Sequence, residues 1–282
     1  MKRVGAHTGL GDRLGGYLTS AMIGEIIKKD IYTTWVLNSV RGGEYPENIL
    51  DYINFPSRLK FVSEEEFKLL DKPELNFTVF YHGFDYIPES IYKSLIKDKI
   101  IKCSFEEMMN TYRKVSKELF YKKNLQIENN LRPGIIHLRR GDKGNNIDHN
   151  ERILKLVEKI NTKNWVIISD SEIPPILLNN VPFLLEPKWS SDPKVKTLEQ
   201  FFFCSNCSII IQSVNYQNEI GSEWSGWCGF SYVAFQLGLA KYVDNPPKLI
   251  SCNLDKDNTR FTYARKYTGI DLFNVFMYNN FC

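Results

Sequence analysis

Two hydrophobic periods run along this chain. In residues 105–123, FEEMMNTYRKVSKELFYKK, apolar side chains fall at Phe105, Met108, Met109, Tyr112, Val115, Leu119 and Phe120, the spacing of one face of a helix. The runs Gly134-Ile135-Ile136 and Trp165-Val166-Ile167-Ile168 are instead apolar at consecutive positions, which suits strands buried on both faces. From residue 134 onward the pattern predicts strand 134–139, helix 150–161, strand 164–169, helix 197–204, strand 208–212 and helix 229–240. Apolar strands alternating with helices imply a parallel sheet covered on both sides.

The first half is less regular. Val4 starts a short strand, Gly9-Leu10-Gly11-Asp12-Arg13-Leu14-Gly15-Gly16 reads as a glycine-rich turn, and a helix is predicted over residues 17–29. Further strands are predicted over 32–37 and 77–82, while residues 47–70 show no clear period. The polar stretch Glu128-Asn129-Asn130-Leu131-Arg132-Pro133-Gly134 breaks the pattern and reads as a linker. The division predicted is an α/β lobe over 1–128, a second α/β lobe over 129–255, and a segment 256–282. Its residues Phe261, Tyr263, Tyr267, Leu272, Phe273, Phe276 and Met277 suit a closing helix packed back on the first lobe. A length of 282 residues fits two lobes, because single cores rarely grow past ~250–300 residues.

Composition narrows the class. With 43% hydrophobic and 24% charged residues the chain is expected to fold as an ordinary globular protein. The 36 basic and 33 acidic residues leave a net charge of +3, too balanced for a nucleic-acid surface. No stretch approaches the ~20 apolar residues of a membrane span or reads as a signal peptide, so a soluble cytoplasmic protein is expected. In that compartment the six cysteines stay reduced. Cys204 and Cys207 have CxxC spacing, but no second pair completes a zinc site, and buried thiols are the expectation. The sequons at Asn76 and Asn206 matter only in a secretory compartment. Asp255-Lys256-Asp257 has a D-x-D form, yet no apolar strand delivers it, and it reads as a solvated loop.

Candidate chemistry gathers where strands end. Ligands of open parallel sheets bind beyond the carboxyl ends of the strands. Three polar clusters fall there: His137-Leu138-Arg139-Arg140-Gly141-Asp142-Lys143, Ser169-Asp170-Ser171-Glu172, and Gln212-Ser213 through Ser222-Glu223-Trp224-Ser225. Strand alternation puts His137 and Arg139 on one face and Leu138 and Arg140 on the other. A guanidinium suits a diphosphate, because its planar fork makes paired charge-assisted hydrogen bonds and keeps its proton. Asp142 can orient that fork or bind a sugar or base N–H, and Arg139 with Asp142 can equally be a structural ion pair.

These residues resemble a family. His137-x-Arg139-Arg140-x-Asp142 is similar to the H-x-R-R-x-D signature of the inverting fucosyltransferases, a group holding the α-1,2- and α-1,6-fucosyltransferases and the nodulation fucosyltransferase. Gly9-Leu10-Gly11-Asp12-Arg13-Leu14 resembles their G-L-G-N-R/Q-L loop, with Asp12 in place of asparagine. A third match runs from Leu198-Glu199-Gln200-Phe201 to Ser222-Glu223-Trp224-Ser225-Gly226-Trp227. The resemblance implies an α/β, GT-B-like fold of two Rossmann-like lobes with a donor/acceptor cleft between them, the first lobe serving the acceptor.

It also implies roles. Arg139 binds the donor's β-phosphate; His137 and Asp142 line the nucleotide pocket; Asp170, Ser222, Glu223, Trp224 and Ser225 contact base, ribose or phosphates; Arg140, as support, and Lys143, matching the lysine that follows the motif aspartate in the α-1,6 group, complete the donor-binding set. Gly9, Gly11 and Arg13 belong to a loop that either presents N–H groups to phosphate or acceptor, or merely permits a tight turn and close packing. A glutamate takes part in proton transfer in the α-1,6 group, but its position here is Ile147, so Asp148 and Asp12 are the two candidate bases. His82, Asp85 and Tyr86, near Trp35 and Tyr81 in character, are acceptor-side candidates or cleft wall.

The activity implied is transfer of a sugar, GDP-fucose being the first donor, to a glycan hydroxyl, with no metal and no cofactor. Transfer from UDP-xylose on the same fold, and a non-catalytic nucleotide- or glycan-binding module, remain alternatives. Oligomeric state is not legible in the sequence.

Overall fold

The computed structural model describes residues 1–3, 9–37, 44–75, 88–125, 132–139, 149–214, 228–252 and 275–277. The chain divides into two compact units, Met1–Asn124 with Ser191–Leu198, and Leu125–Ser190 with Glu199–Cys282. Nothing in the local pattern marks Ser191–Leu198 as part of the first unit.

In the first unit the strands are short: β1 (Lys2–Arg3), β2 (Ile31–Thr33) and β4 (Leu59–Phe61) form a parallel sheet in the order β1-β2-β4, and β3 (Ile53–Asn54) pairs antiparallel with β5 (Phe120–Tyr121). The helices are α1 (Leu10–Ile27), α2 (Ile49–Tyr52), α3 (Glu64–Leu69), α4 (Pro88–Lys97) and α5 (Phe105–Glu118). α5 follows its sequence pattern, burying Met108, Met109 and Val115, and starts at a reciprocal cap. Ser104 Oγ accepts the Glu107 N–H at 3.2 Å, and Glu107 Oε2 accepts the Ser104 N–H at 2.8 Å.

α1 departs from the sequence expectation. The glycine-rich stretch is not a turn: Gly9 is the N-cap, and Gly11, Gly15 and Gly16 lie inside the helix. Tertiary packing overrides the low helix propensity of glycine. A Cβ on Gly16 would sit 3.0 Å from Arg3 Nη1, so the missing side chain makes room for a buried guanidinium that donates to Ser20 Oγ at 2.9 Å. Beside an aliphatic core that includes Leu14, Leu18, Met22 and Ile31, the buried Tyr17 contacts Trp35, Phe55 and Phe61, and its hydroxyl donates to the Thr34 carbonyl at 2.8 Å.

The second unit carries the sheet that the apolar runs predict. β6 (Gly134–Arg139), β7 (Trp165–Ser169), β8 (Ile209–Val214), β9 (Lys248–Ser251) and β10 (Val275–Met277) are all parallel, in the order β10-β9-β8-β6-β7. α6 (Asn150–Lys159), α7 (Pro175–Asn180), α8 (Pro193–Cys204) and α9 (Gly229–Lys241) connect them. The position of β10 corrects one expectation: Val275–Met277 is strand, paired to β9, and not part of a closing helix. Its parallel neighbour offers backbone partners that a sequence window cannot see.

β6 sorts its side chains cleanly. Ile136 and Leu138 join Ile153, Leu156, Val157, Leu177 and Val181 in one core layer, so Ile135, His137 and Arg139 point to the opposite face. At the start of the strand Gly134 lies against the Trp165 indole, where a Cβ would come within 2.5 Å of the ring. Among the described residues no helix is long and apolar enough to cross a membrane.

Candidate functional site

The strand order locates the site. Numbered along the chain from β6, the second sheet runs 5-4-3-1-2, so its direction of winding reverses between β6 and β8. In such sheets the crevice outside the carboxyl ends at the reversal is where ligands bind. Arg139 is the last residue of β6 and lies in register with Val214, the last residue of β8, at that reversal.

A strand on its neighbour brings Asp170 to the same rim. Leu138 pairs with Ser169, the end of β7, and the Asp170 N–H donates to the Leu138 carbonyl at 3.4 Å. Arg139 Nη1 then meets Asp170 Oδ2 at 3.3 Å, with the two side chains 30% and 26% exposed. A pair this open to water adds only ~0–1 kcal/mol of stability. Its effect is orientation: a carboxylate holds a fixed cation at the mouth of the crevice while solvent, or an anion, still reaches it. Asp170, the residue after β7, is thus a carboxylate beside Arg139, a pairing that the strand register brings about.

His137 occupies the same face two residues earlier but sits inside the fold. Its Nδ1 and Ser231 Oγ share a hydrogen bond, and its ring stacks on Phe230 with centroids 5.1 Å apart. Burial, then the positive charge of Arg139, pushes its pKa down to about 4, against a smaller upward pull from Asp170. At neutral pH it is an uncharged packing and hydrogen-bonding group. His137 is buried, and its hydrogen bond to Ser231 ties β6 to the start of α9.

A second pair of the same kind lies nearby. His149, the N-cap residue of α6, is buried, and its Nδ1 is 3.2 Å from Ser213 Oγ on β8. His149, Phe230 and Ser231 were not among the sequence candidates. The available signal was their position, each flanking a helix start that follows a polar segment.

In the first unit Gly9, Gly11, Asp12 and Arg13 form the first turn of α1. Asp12 is half-buried, and a Cβ on Gly9 would meet nothing within 4 Å. Arg13 is a different matter. Its guanidinium lies over the Trp35 ring at 4.9 Å and the Tyr45 ring at 4.5 Å, donates to the Val36 carbonyl, and is fully buried. Burial lowers its pKa. Its cationic face is covered by two aromatic rings, a packing contact within the first unit. Trp35 is half-buried, its indole N–H donating to the Pro46 carbonyl at 3.1 Å.

Other candidates lie outside the described residues: Arg140, Asp142, Lys143, Asp148, Ser222, Glu223, Trp224, Ser225, His82, Asp85 and Tyr86, together with Asp255 and Asp257. Cys204 and Cys207 are buried thiols; burial raises the first strongly and the second to about 12, so neither is a reactive thiolate at neutral pH. The amide of Asn206 is engaged on both sides, donating to the Phe202 carbonyl at 2.7 Å and accepting from Tyr242 at 3.0 Å. Among the described residues no three His, Cys, Asp or Glu side chains gather as a metal-ligand group.

No protein-family model matches the sequence, and no curated protein does. Solved structures share the fold. NodZ alpha-1,6-fucosyltransferase co-crystallised with GDP is 12% identical with a TM-score of 0.50, over 84% of this chain and 92% of that one. Selenomethionyl fucosyltransferase NodZ from Bradyrhizobium is 10% identical with a TM-score of 0.50, over 84% and 91%. NodZ soaked with GDP-fucose is 12% identical with a TM-score of 0.47, over 84% and 91%. At such identities it is the fold that is shared.

Proposed function

We propose that this chain, built on the NodZ fucosyltransferase fold, is an inverting, metal-independent glycosyltransferase that moves a sugar from a nucleotide-diphosphate donor, GDP-fucose first, to a glycan hydroxyl. One observation carries the reading: Arg139 stands half-open at the winding reversal of a parallel sheet, oriented by Asp170. The binding of GDP by a protein of the same fold supports the choice of donor nucleotide.

The chemistry asked of the site is twofold. As the bond between the sugar's anomeric carbon and the diphosphate breaks, negative charge grows on the leaving oxygen. The Arg139 guanidinium neutralises it without a metal ion, an electrostatic contribution that grows in the transition state. The acceptor hydroxyl attacks from the opposite face of an oxocarbenium-like carbon, and its proton passes to a carboxylate, Asp148 or Asp12. Replacing the true base by asparagine costs at least ~100-fold in turnover.

The deciding experiment is transfer and binding with a donor panel. Thermal-shift titration with GDP and UDP identifies the base, and assays with GDP-fucose, other GDP-sugars and UDP-xylose in the presence of EDTA identify the sugar. Stabilisation by GDP and EDTA-resistant transfer from GDP-fucose is the expected result. Binding without transfer or hydrolysis of any donor would make the chain a nucleotide-binding module, and EDTA-sensitive transfer would overturn the metal-independent mechanism.

A further inference from the structure

β7 is the last strand of the second sheet, and the chain that follows it turns an uncharged apolar surface outward. Residues 173–185 read IPPILLNNVPFLL and carry no charged side chain. Their inner side serves the fold: Leu177 and Val181 belong to the core layer of β6, and Ile173 and Leu184 pack against it. The outer side presents Phe183, 72% exposed, with Ile176 at 44%, Leu178 at 43% and Leu185 at 37%. All of these residues lie within the second unit.

The backbone under this surface is tied down. The Trp165 N–H donates to the Phe183 carbonyl at 3.1 Å and the Leu185 N–H to the Trp165 carbonyl at 2.7 Å, so the segment covers the start of the sheet edge. Pro187 has no N–H with which to continue the ladder. Phe183 has a φ of 51°, a left-handed conformation that a bulky aromatic residue rarely adopts. The fold thus bears a strained backbone around a ring that its own core does not use.

Charge and area choose what covers the ring. An acidic or basic partner, or an anionic membrane, calls for an excess of opposite charge around the apolar centre. The flanks instead hold Lys159, Lys163 and Lys188 against Asp170, Glu172 and Glu186. A second copy needs no such excess: across a two-fold axis the uncharged face meets itself with no like charges opposed at its centre. The four exposures amount to about two whole large side chains, roughly 300–400 Å². That is about half of the ~800 Å² each partner contributes to a standard interface, and exposed polar residues such as Asn179 and Asn180 supply a rim. We propose that the face formed by Ile176, Leu178, Phe183 and Leu185 docks a second copy of this chain about a two-fold axis, giving a reversible homodimer. The proposal stands apart from the sugar-transfer reading, since none of these four residues belongs to the candidate site.

The test is sedimentation equilibrium of the full chain from about 1 to 200 µM, with Leu178→Ser, Phe183→Asn and Phe183→Asp alongside. The wild type is expected to be a reversible dimer with a dissociation constant of about 5–50 µM. Phe183→Asp opposes like charges at the face and should weaken the dimer by at least ~100-fold, Phe183→Asn by at least ~10-fold and Leu178→Ser by about 3- to 10-fold. Asparagine tolerates the left-handed backbone better than phenylalanine does. The urea midpoint of Phe183→Asn, read at about 0.5 µM where the chain is monomeric, should therefore equal or exceed that of the wild type. A lowered midpoint would mean that the ring packs on its own chain, and would overturn the proposal. So would a wild type that stays monomeric over the whole range, or a dimer that all three variants leave unmoved. Flotation of a monomeric wild type with phosphatidylglycerol vesicles would assign the face to a membrane and overturn it as well.

Discussion

Arg13 and Arg139 are the same residue type in the same role on paper, yet the two units use them in opposite ways. In the first unit Arg13 is enclosed by Trp35 and Tyr45 and tied to a backbone carbonyl, so its charge is satisfied by the fold. In the second unit Arg139 ends a strand, keeps 30% of its side chain in solvent and meets the Asp170 carboxylate at the rim. An arginine is available to a ligand when its fork projects past the last backbone pair of a strand, and unavailable when helix packing closes over it. Arg3 repeats the lesson of Arg13: it is buried beneath Gly16 and over the Tyr17 ring, 5.7 Å from its centroid.

The contrast can be broken most directly at Arg139. Arg139→Ala is expected to lower transfer by about 10²–10³-fold while leaving the urea midpoint in place, since an exposed pair contributes so little to stability. An unfolded Arg139→Ala would mean that both arginines are structural. Arg13→Ala should show the reverse. The lost ring contacts, the cavity and the orphaned Val36 carbonyl together cost about 2–4 kcal/mol, read as a lower urea midpoint, with nucleotide affinity of the folded protein unchanged. A smaller loss, about 1–3 kcal/mol, is expected of Gly134→Ala, because the added methyl meets a buried indole that has nowhere to move. That variant tests whether the second sheet is as rigid at its base as the site at its tip requires.

The mildest probe is pH. His137 has its pKa lowered from 6.5 to about 4, so between those values the unfolded chain takes a proton that the folded one refuses. Stability should therefore fall as pH drops from 6.5 towards 4, and His137→Gln should remove that part of the slope. Glu25, in the first unit, is hydrogen-bonded by Lys114, Arg58 and Lys28, which bring it from 4.5 to about 2. Its contribution is complete above 4.5 and is lost as pH falls towards 2, so Glu25→Gln should flatten only that lower range. A pH–stability curve of the two variants would separate the two windows, and a His137→Gln effect confined below about pH 4, or a Glu25→Gln effect confined above about pH 4.5, would contradict the assignment of that group.

The second unit was the more legible of the two. Apolar runs such as Ile135-Ile136 and Val166-Ile167-Ile168 bury both faces of a strand, and a pattern that strong survives without knowledge of the partners. In the first unit β1 and β2 are two and three residues long, too short to carry a period, and the glycines of α1 pointed towards a turn. Arg139 was legible because it ends an apolar run. Asp170 was legible as a polar residue at a strand end, but not as the partner of Arg139, and Ser231 and His149 were marked only by their place at a helix start after a polar segment.

By itself the sequence determined a parallel α/β architecture in the second half, the placement of polar clusters at its strand ends, and a cation suited to a diphosphate. Those follow from local rules: which residues can be buried, in what period, and what a guanidinium can bind. Tertiary structure alone decided which arginine is covered and which is open, which carboxylate orients it, and that two histidines hold serines across strands. Such facts depend on strand order and on what packs over each face, and residues 64 and 94 positions apart in the chain become neighbours only when the sheet has formed.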